Sequence, residues 1–158
     1  MTESSTVEPV FVAVVDHTSP LPVRSTEESA GLDLKACLKV SESLKPNETK
    51  LISTGIKMAL PSGSFGMIVP RSGLGTKHGI VLANSVGIID SDYRGEILVP
   101  LKNTSDDTFT IDPGMRVAQM IIIQHKSDCT FIEISDTELN QKHSSARDSG
   151  GFGSTGVD

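Results

Sequence analysis

The apolar runs of this chain are only strand-sized, and turn-forming residues interrupt them at short, regular intervals. They cover Val10 to Val15, Leu32 to Val40, Lys50 to Leu60, Ser64 to Val69, Gly79 to Ala83, Glu96 to Leu101, Thr108 to Ile111, Val117 to Gln124 and Thr130 to Ile134. Most are rich in β-branched residues or alternate apolar with polar, the period of a strand with one face buried. Pro61-Ser62-Gly63, Asp106-Asp107 and Asp112-Pro113-Gly114 are turns by composition. The pattern predicts an all-β fold, a jelly-roll-like β-sandwich or barrel. At most one short helix is expected, over Arg71 to His78 after Pro70, and Gly73 and Gly75 weaken even that one.

With 158 residues the chain has enough surface to bury for one real core. Aromatic residues make up 4% and Trp is absent, so that core must be built from Val, Ile, Leu and Met. A formal net charge of -6 argues against a surface that holds nucleic acid by neutralising its phosphates. A small polyanionic ligand would need gathered Arg, backbone amides or a cation. Cys37 and Cys129 have no CxxC spacing, which argues against a zinc site or a disulfide framework and predicts buried free thiols in a reducing cytoplasm. Met1 to Glu8 is polar and no apolar run approaches membrane length, so neither a signal peptide nor a membrane span is expected. From Asn140 the apolar runs stop and Ser, Gly, Asp and Lys dominate. The expected organisation is a β domain over 1–139 and a flexible, Gly-rich arm over 140–158.

Five segments carry residues suited to chemistry. In Ser29-Ala30-Gly31-Leu32-Asp33-Leu34-Lys35-Ala36 a turn leads into a strand, and Asp33 is either a turn former or a ligand. Pro70-Arg71-Ser72-Gly73-Leu74-Gly75 sets a guanidinium and a hydroxyl beside open amides, as a phosphate site requires, although a plain loop reads the same. Asn84-Ser85-Val86-Gly87-Ile88-Ile89-Asp90-Ser91-Asp92-Tyr93-Arg94-Gly95-Glu96 has a hairpin tip, two carboxylates and the single Tyr. It is a charged turn, or it supplies a general base and a ring to pack against a sugar. In Gly114-Met115-Arg116-Val117-Ala118-Gln119-Met120, strict alternation puts Arg116, Ala118 and Met120 on one face and Val117 and Gln119 on the other. A Gln on an apolar strand needs hydrogen-bond partners from a ligand or a core network. The tail Arg147-Asp148-Ser149-Gly150-Gly151-Phe152-Gly153-Ser154-Thr155-Gly156 superficially matches a P-loop, but Val157 stands where the Lys belongs and no helix follows. It suits instead a strip that wraps phosphates and covers a base. Zinc-dependent base deamination is excluded because no H-x-E with a PCxxC partner exists. His17, His78, His125 and His143 are scattered, with surface or structural roles expected.

Taken in order, these segments resemble the five motifs of the trimeric dUTPase family, close to its bacterial and phage members, over Ala30 to Gly156. Two positions depart from the pattern: Ile88, where many relatives carry Thr, and Gly73, where Ser is common. The resemblance implies a jelly-roll homotrimer whose sites are shared between chains and whose substrate is dUTP. It implies that Asp90 activates a water for in-line attack on the α-phosphorus, and that Asp33 holds a water bound to Mg²⁺ on the triphosphate. Arg71, Ser72, Gly73 and Gln119 would bind phosphate oxygens. Tyr93 would lie under the deoxyribose and exclude a 2′-hydroxyl, while Asn84, Gly87 and Ile88 in the hairpin read uracil. Arg147, Gly153 and Ser154 of the tail would hold the γ-phosphate end, and Phe152 would stack on the base. The nearest enzymatic rival is a dCTP deaminase-like protein, which places a Glu base in a strand after the third segment and lacks the Gly-rich tail. Here Glu96 is followed by Ile97-Leu98-Val99 instead. A nucleotide-sensing binding module is the alternative from another class, and the intact Asp90 and tail weigh against it.

Overall fold

The structure, a computed structural model, describes residues 8–15, 21–126 and 128–145. In chain order the elements are β1 (Phe11–Val14), β2 (Val23–Arg24), β3 (Leu32–Lys35), β4 (Glu42–Leu44), β5 (Thr49–Ser53), β6 (Ile56–Ala59), β7 (Ser64–Val69) and α1 (Ser72–His78). They continue as β8 (Ile80–Leu82), β9 (Gly87–Asp90), β10 (Leu98–Asn103), β11 (Phe109–Ile111), β12 (Arg116–Gln124) and α2 (Asp136–Lys142). The chain divides into two units, Met1–Lys126 and Ser127–Asp158.

In the first unit every strand pairs antiparallel. The largest sheet has the order β2-β3-β12-β7-β9; a second has β5-β10-β8; β1 pairs with β6 and β4 with β11. Alternation decides which side of each strand is buried. In β10, Val99, Leu101 and Asn103 point inward while Leu98 and Lys102 are exposed. Val99 and Leu101 join Ile52, Ile80 and Leu82 of the same sheet, and Leu34, Ile68, Ala118 and Met120 of the large one, in a single core cluster. Each fully buried aliphatic side chain there stabilises the fold by about 1.5–3 kcal/mol. Asn103 is wholly buried and satisfied. Its amide nitrogen donates to the carbonyls of Leu44 at 2.9 Å and Asp107 at 2.7 Å, and its oxygen accepts from Ser105 N at 2.9 Å and Ser105 Oγ at 2.8 Å.

The structure revises several strand boundaries. The run from Leu32 to Val40 stops at Lys35, because the chain there changes sheets: Ala36 N donates to Met115 O ahead of β12, and Cys37 N to Ser53 O of β5, both at 2.8 Å. The run from Lys50 to Leu60 breaks between β5 and β6 at Gly55, whose φ of 68° a side chain would strain. Both cysteines are free, but Cys37 is only half-buried and Cys129 is exposed, contrary to the expected burial.

In the second unit Thr130 to Ile134 is not a strand, although its composition predicts one, and Phe131 is 98% exposed. Strand composition makes a strand only where another edge offers its N–H and C=O groups. A second helix, α2, takes the fold beyond the one short helix expected. Its start is encoded in Ser135-Asp136-Thr137-Glu138: Ser135 Oγ accepts from Glu138 N at 3.2 Å, and Asp136 and Glu138 sit in the positive first turn.

Candidate active site

Of the candidate residues, Asp33, Gln119, Ile88 and Asp90 share the outward face of the five-stranded sheet. Cross-strand partners share a face, so the register settles which side chains stand together. Asp33 of β3 pairs with Gln119 of β12, and Gln119 with Val69 at the end of β7. Pro70 and Arg71 follow directly. Gln119 Nε2 donates to Pro70 O at 3.2 Å, so the glutamine that the strand pattern left without partners ties β12 to the phosphate-loop candidate. Its side chain also covers Gly31, where a Cβ would overlap it. A glycine before β3 is therefore required for Gln119 to lie across the sheet.

Asp33 is the hub of this end. It is 8% exposed, and its Oδ1 accepts from Arg71 Nε at 3.1 Å while its Oδ2 accepts from Ser25 Oγ at 2.8 Å and Arg116 Nη1 at 3.3 Å. Burial pushes its pKa up, but the Ser25 hydrogen bond, the Arg71 charge and the Arg116 hydrogen bond and charge outweigh burial and hold the carboxyl below its ordinary value. Asp33 is thus an ionised carboxylate bracketed by two guanidiniums. Arg71 binds it through Nε, which leaves its terminal fork for an anion.

Arg116 and Ser25 are the residues that sequence reasoning missed. Strict alternation places Arg116 with Ala118 and Met120, yet the β3–β12 register shifts between Arg116 and Ala118. The β-bulge at Val117 lets Val117 and Ala118 both be buried and turns Arg116 onto the face of Asp33 and Gln119. Ser25 lies eight positions before Asp33 in a segment without a strand period, so no signal in the sequence marked it.

Around Arg71 the chain forms α1 as expected, with Arg71 as N-cap and Ser72 and Gly73 opening the helix. No side chain caps it, so its first amides are open to an anion. Nothing lies within 4 Å of a Cβ built on Gly73, so the serine common at that position would fit.

At the far edge, β9 carries the second group. Asn84 and Val86 form the turn before it, with Ser85 at φ 62° and Val86 N donating to Asn84 O at 2.6 Å. Gly87 packs closely on Ile68: a Cβ would sit 3.2 Å from the Ile68 Cβ. Ile88 and Asp90 point outward and are exposed, and Tyr93 follows in the loop, 43% exposed. Arg147, Phe152, Gly153 and Ser154 lie outside the described residues.

One chain keeps the two groups apart. Asp90 pairs with Phe65, four residues along β7 from the Val69 that pairs with Gln119, and β9 is three strands from β3. Strand spacing of about 4.8 Å and rise of about 3.4 Å per residue place the Asp33 and Asp90 backbones roughly 20 Å apart. Between them the face is half-buried and apolar, with Met67, Val69, Ile121 and Ile123.

Among the described residues no group of three or more His, Cys, Asp or Glu could hold a metal ion. Asp33 therefore fits a metal only at second hand. A carboxylate accepts at about four lone-pair sites, and Asp33 uses three, leaving room for a water of an ion's hydration shell.

Fold and site together define an antiparallel β domain that gathers two arginines around the Asp33 carboxylate and a separate carboxylate edge on one sheet face. The sequence matches the dUTPase family over residues 17–156. It is 48% identical over 139 residues to the deoxyuridine 5'-triphosphate nucleotidohydrolase of Hahella chejuensis, covering 87% of this chain and 88% of that one. It is 43% identical to the protein of the same name from Xylella fastidiosa (strain M12), covering 98% and 99%. Among solved structures, the Staphylococcus bacteriophage 80alpha dUTPase with dUPNHPP superposes with a TM-score of 0.80 at 24% identity, covering 96% of this chain and all of that one (100%). The chain belongs to the dUTPase family, and the fold it shares with the phage enzyme bears out the jelly roll.

Proposed function

We propose that this protein hydrolyses dUTP to dUMP and pyrophosphate at sites completed between copies of the chain. The observation that carries the shared site is the direction of β9. The Asn84 to Gly87 turn lies beside the end of β7 that leads to Arg71, and β9 then runs from Gly87 to Asp90, away from that end. A nucleotide whose uracil is read by Asn84, Gly87 and Ile88, with its α-phosphate at Asp90, extends its phosphates away from the Arg71 of its own chain. A second copy must then supply Arg71, Ser72, Gly73, Gln119 and Asp33. The apolar strip between the two groups suits burial against such a copy, and closed symmetry makes a ring such as a homotrimer the natural assembly.

In this reading Asp90 accepts a proton from a water that attacks the α-phosphorus in line, and the bond from that phosphorus to the bridging oxygen breaks. Pyrophosphate leaves. Arg71 and the amides of Ser72 and Gly73 neutralise the phosphate oxygens, which is most of what phosphoryl chemistry asks of a protein. Tyr93 walls off the 2′ position, and Arg147, Gly153, Ser154 and Phe152 close over phosphates and base. Mg²⁺ on the triphosphate supplies charge neutralisation when bound, and the open lone pair of Asp33 suits its hydration water. The test is simple: purified protein is given dUTP or dCTP, and pyrophosphate and ammonia are scored separately, with and without Mg²⁺. Pyrophosphate from dUTP alone, lost on chelation, is the expected result. Ammonia from dCTP, or turnover indifferent to chelation, would overturn the substrate or the metal respectively.

A further inference from the structure

The loop between β9 and β10 makes no ladder, yet it carries the ring expected to face the sugar. Its two ends are held differently. At the start, Tyr93 N donates to Asp90 O at 3.1 Å. At the other end, Ile97 is fully buried and locked on the β5–β6 turn, donating to Ile56 O at 2.9 Å and accepting from Thr54 Oγ1 at 2.7 Å. Glu96 sits immediately before it and turns its carboxylate back onto the same turn. Glu96 Oε1 accepts from Gly55 N at 2.9 Å and from the hydroxyl of Ser53. The Tyr93 hydroxyl in turn donates to the backbone carbonyl of Glu96 at 3.1 Å. Gly95 completes the arrangement, because a Cβ there would overlap the Tyr93 ring and hydroxyl.

From these contacts we infer that Glu96 is a positioning residue for substrate selection: its carboxylate, anchored on Ser53 and Gly55, fixes the carbonyl that holds Tyr93 against the sugar. Glu96 does not touch substrate. It acts through Tyr93, so the inference rests on the reading of Tyr93 as the wall at the 2′ position. A carboxylate serves here because one oxygen must accept two donors, and an anion strengthens both bonds.

The test compares kcat/KM for dUTP and UTP in wild type, Glu96→Ala, Glu96→Gln, Tyr93→Phe and Tyr93→Ala. Glu96→Ala removes the anchor and should narrow the dUTP-over-UTP ratio about tenfold, the scale of one lost charge-assisted hydrogen bond. Glu96→Gln keeps an accepting oxygen and should retain most of the ratio, and Tyr93→Phe, which loses only the hydroxyl, should fall between wild type and Tyr93→Ala. A general loss of folded protein lowers both substrates alike and leaves the ratio unmoved. A Tyr93→Ala variant that keeps the wild-type ratio would remove the wall and the inference with it. Tyr93→Ala losing selectivity while Glu96→Ala keeps it would leave the wall standing and overturn the role of Glu96. Should Glu96→Ala not fold, Tyr93→Phe decides: a wild-type ratio in that variant defeats the inference, and a narrowed one supports it.

Discussion

Asp90 and Asp33 are both carboxylates on one sheet face, and their surroundings differ. Asp90 is exposed at the end of an edge strand. Asp90→Asn preserves shape but not basicity, so the variant should assemble and bind dUTP while losing roughly two to four orders of magnitude in kcat. Near-normal turnover would remove Asp90 from the chemistry. Asp33 is buried between Arg71 and Arg116, and its lowered pKa makes a prediction about stability. Because the folded carboxyl ionises more readily than an unfolded Asp with a pKa of about 3.9, acidification protonates the unfolded state first. The stabilisation is complete above that value and is lost as pH falls further, through the folded pKa. Asp33→Asn should therefore unfold at lower urea than wild type at pH 6, and the gap should shrink as the pH drops below about 4. A gap that stays constant down to pH 2.5 would refute the pairing.

At the scale of elements, two irregularities matter more than the strands themselves. The bulge at Val117 gives β12 two consecutive buried residues and, with them, an arginine on the face of Asp33. The β10–β11 connection depends on Asn103, whose amide closes four hydrogen bonds in the core. Asn103→Ala leaves those partners without it and opens a small void, which should cost roughly 2–4 kcal/mol. Urea midpoints at matched protein concentration check this, and KM for dUTP should stay within about twofold because the residue lies in the core, away from the site. An unchanged midpoint would show that water or Ser105 repairs the network.

For the whole molecule, the separation of Arg71 from Asp90 on one chain becomes a complementation test. Arg71→Ala and Asp90→Asn should each be nearly inactive alone. If each site joins Asp90 of one copy to Arg71 of the next, every mixed ring has one site with both residues intact. About three quarters of randomly assembled trimers are mixed and one site in three works, so equal mixing should restore roughly one quarter of wild-type activity. Verified heterotrimers as inactive as their parents would place both residues in one chain's site and contradict the register argument.

The sequence by itself determined the β class, the inward set of the regular strands and most candidate pieces of the site, because period-two alternation and turn residues are local properties that physics reads one segment at a time. Ser64 to Val69 and the helix after Pro70 stand where composition put them. Even the missed α2 was written locally, in the capping pair Ser135 and Glu138. Arg116 was different: whether a strand keeps strict alternation depends on its neighbour's register, and only the pairing of β12 with β3 shows the bulge. The ending of β3 at Lys35 likewise follows from which sheet accepts the next amides. Tertiary structure alone decided that Ser25, Arg71 and Arg116 converge on Asp33, and that Asp90 stands far from them. Those distances are set by strand order, and strand order is a choice among pairings distant in sequence that no single segment contains.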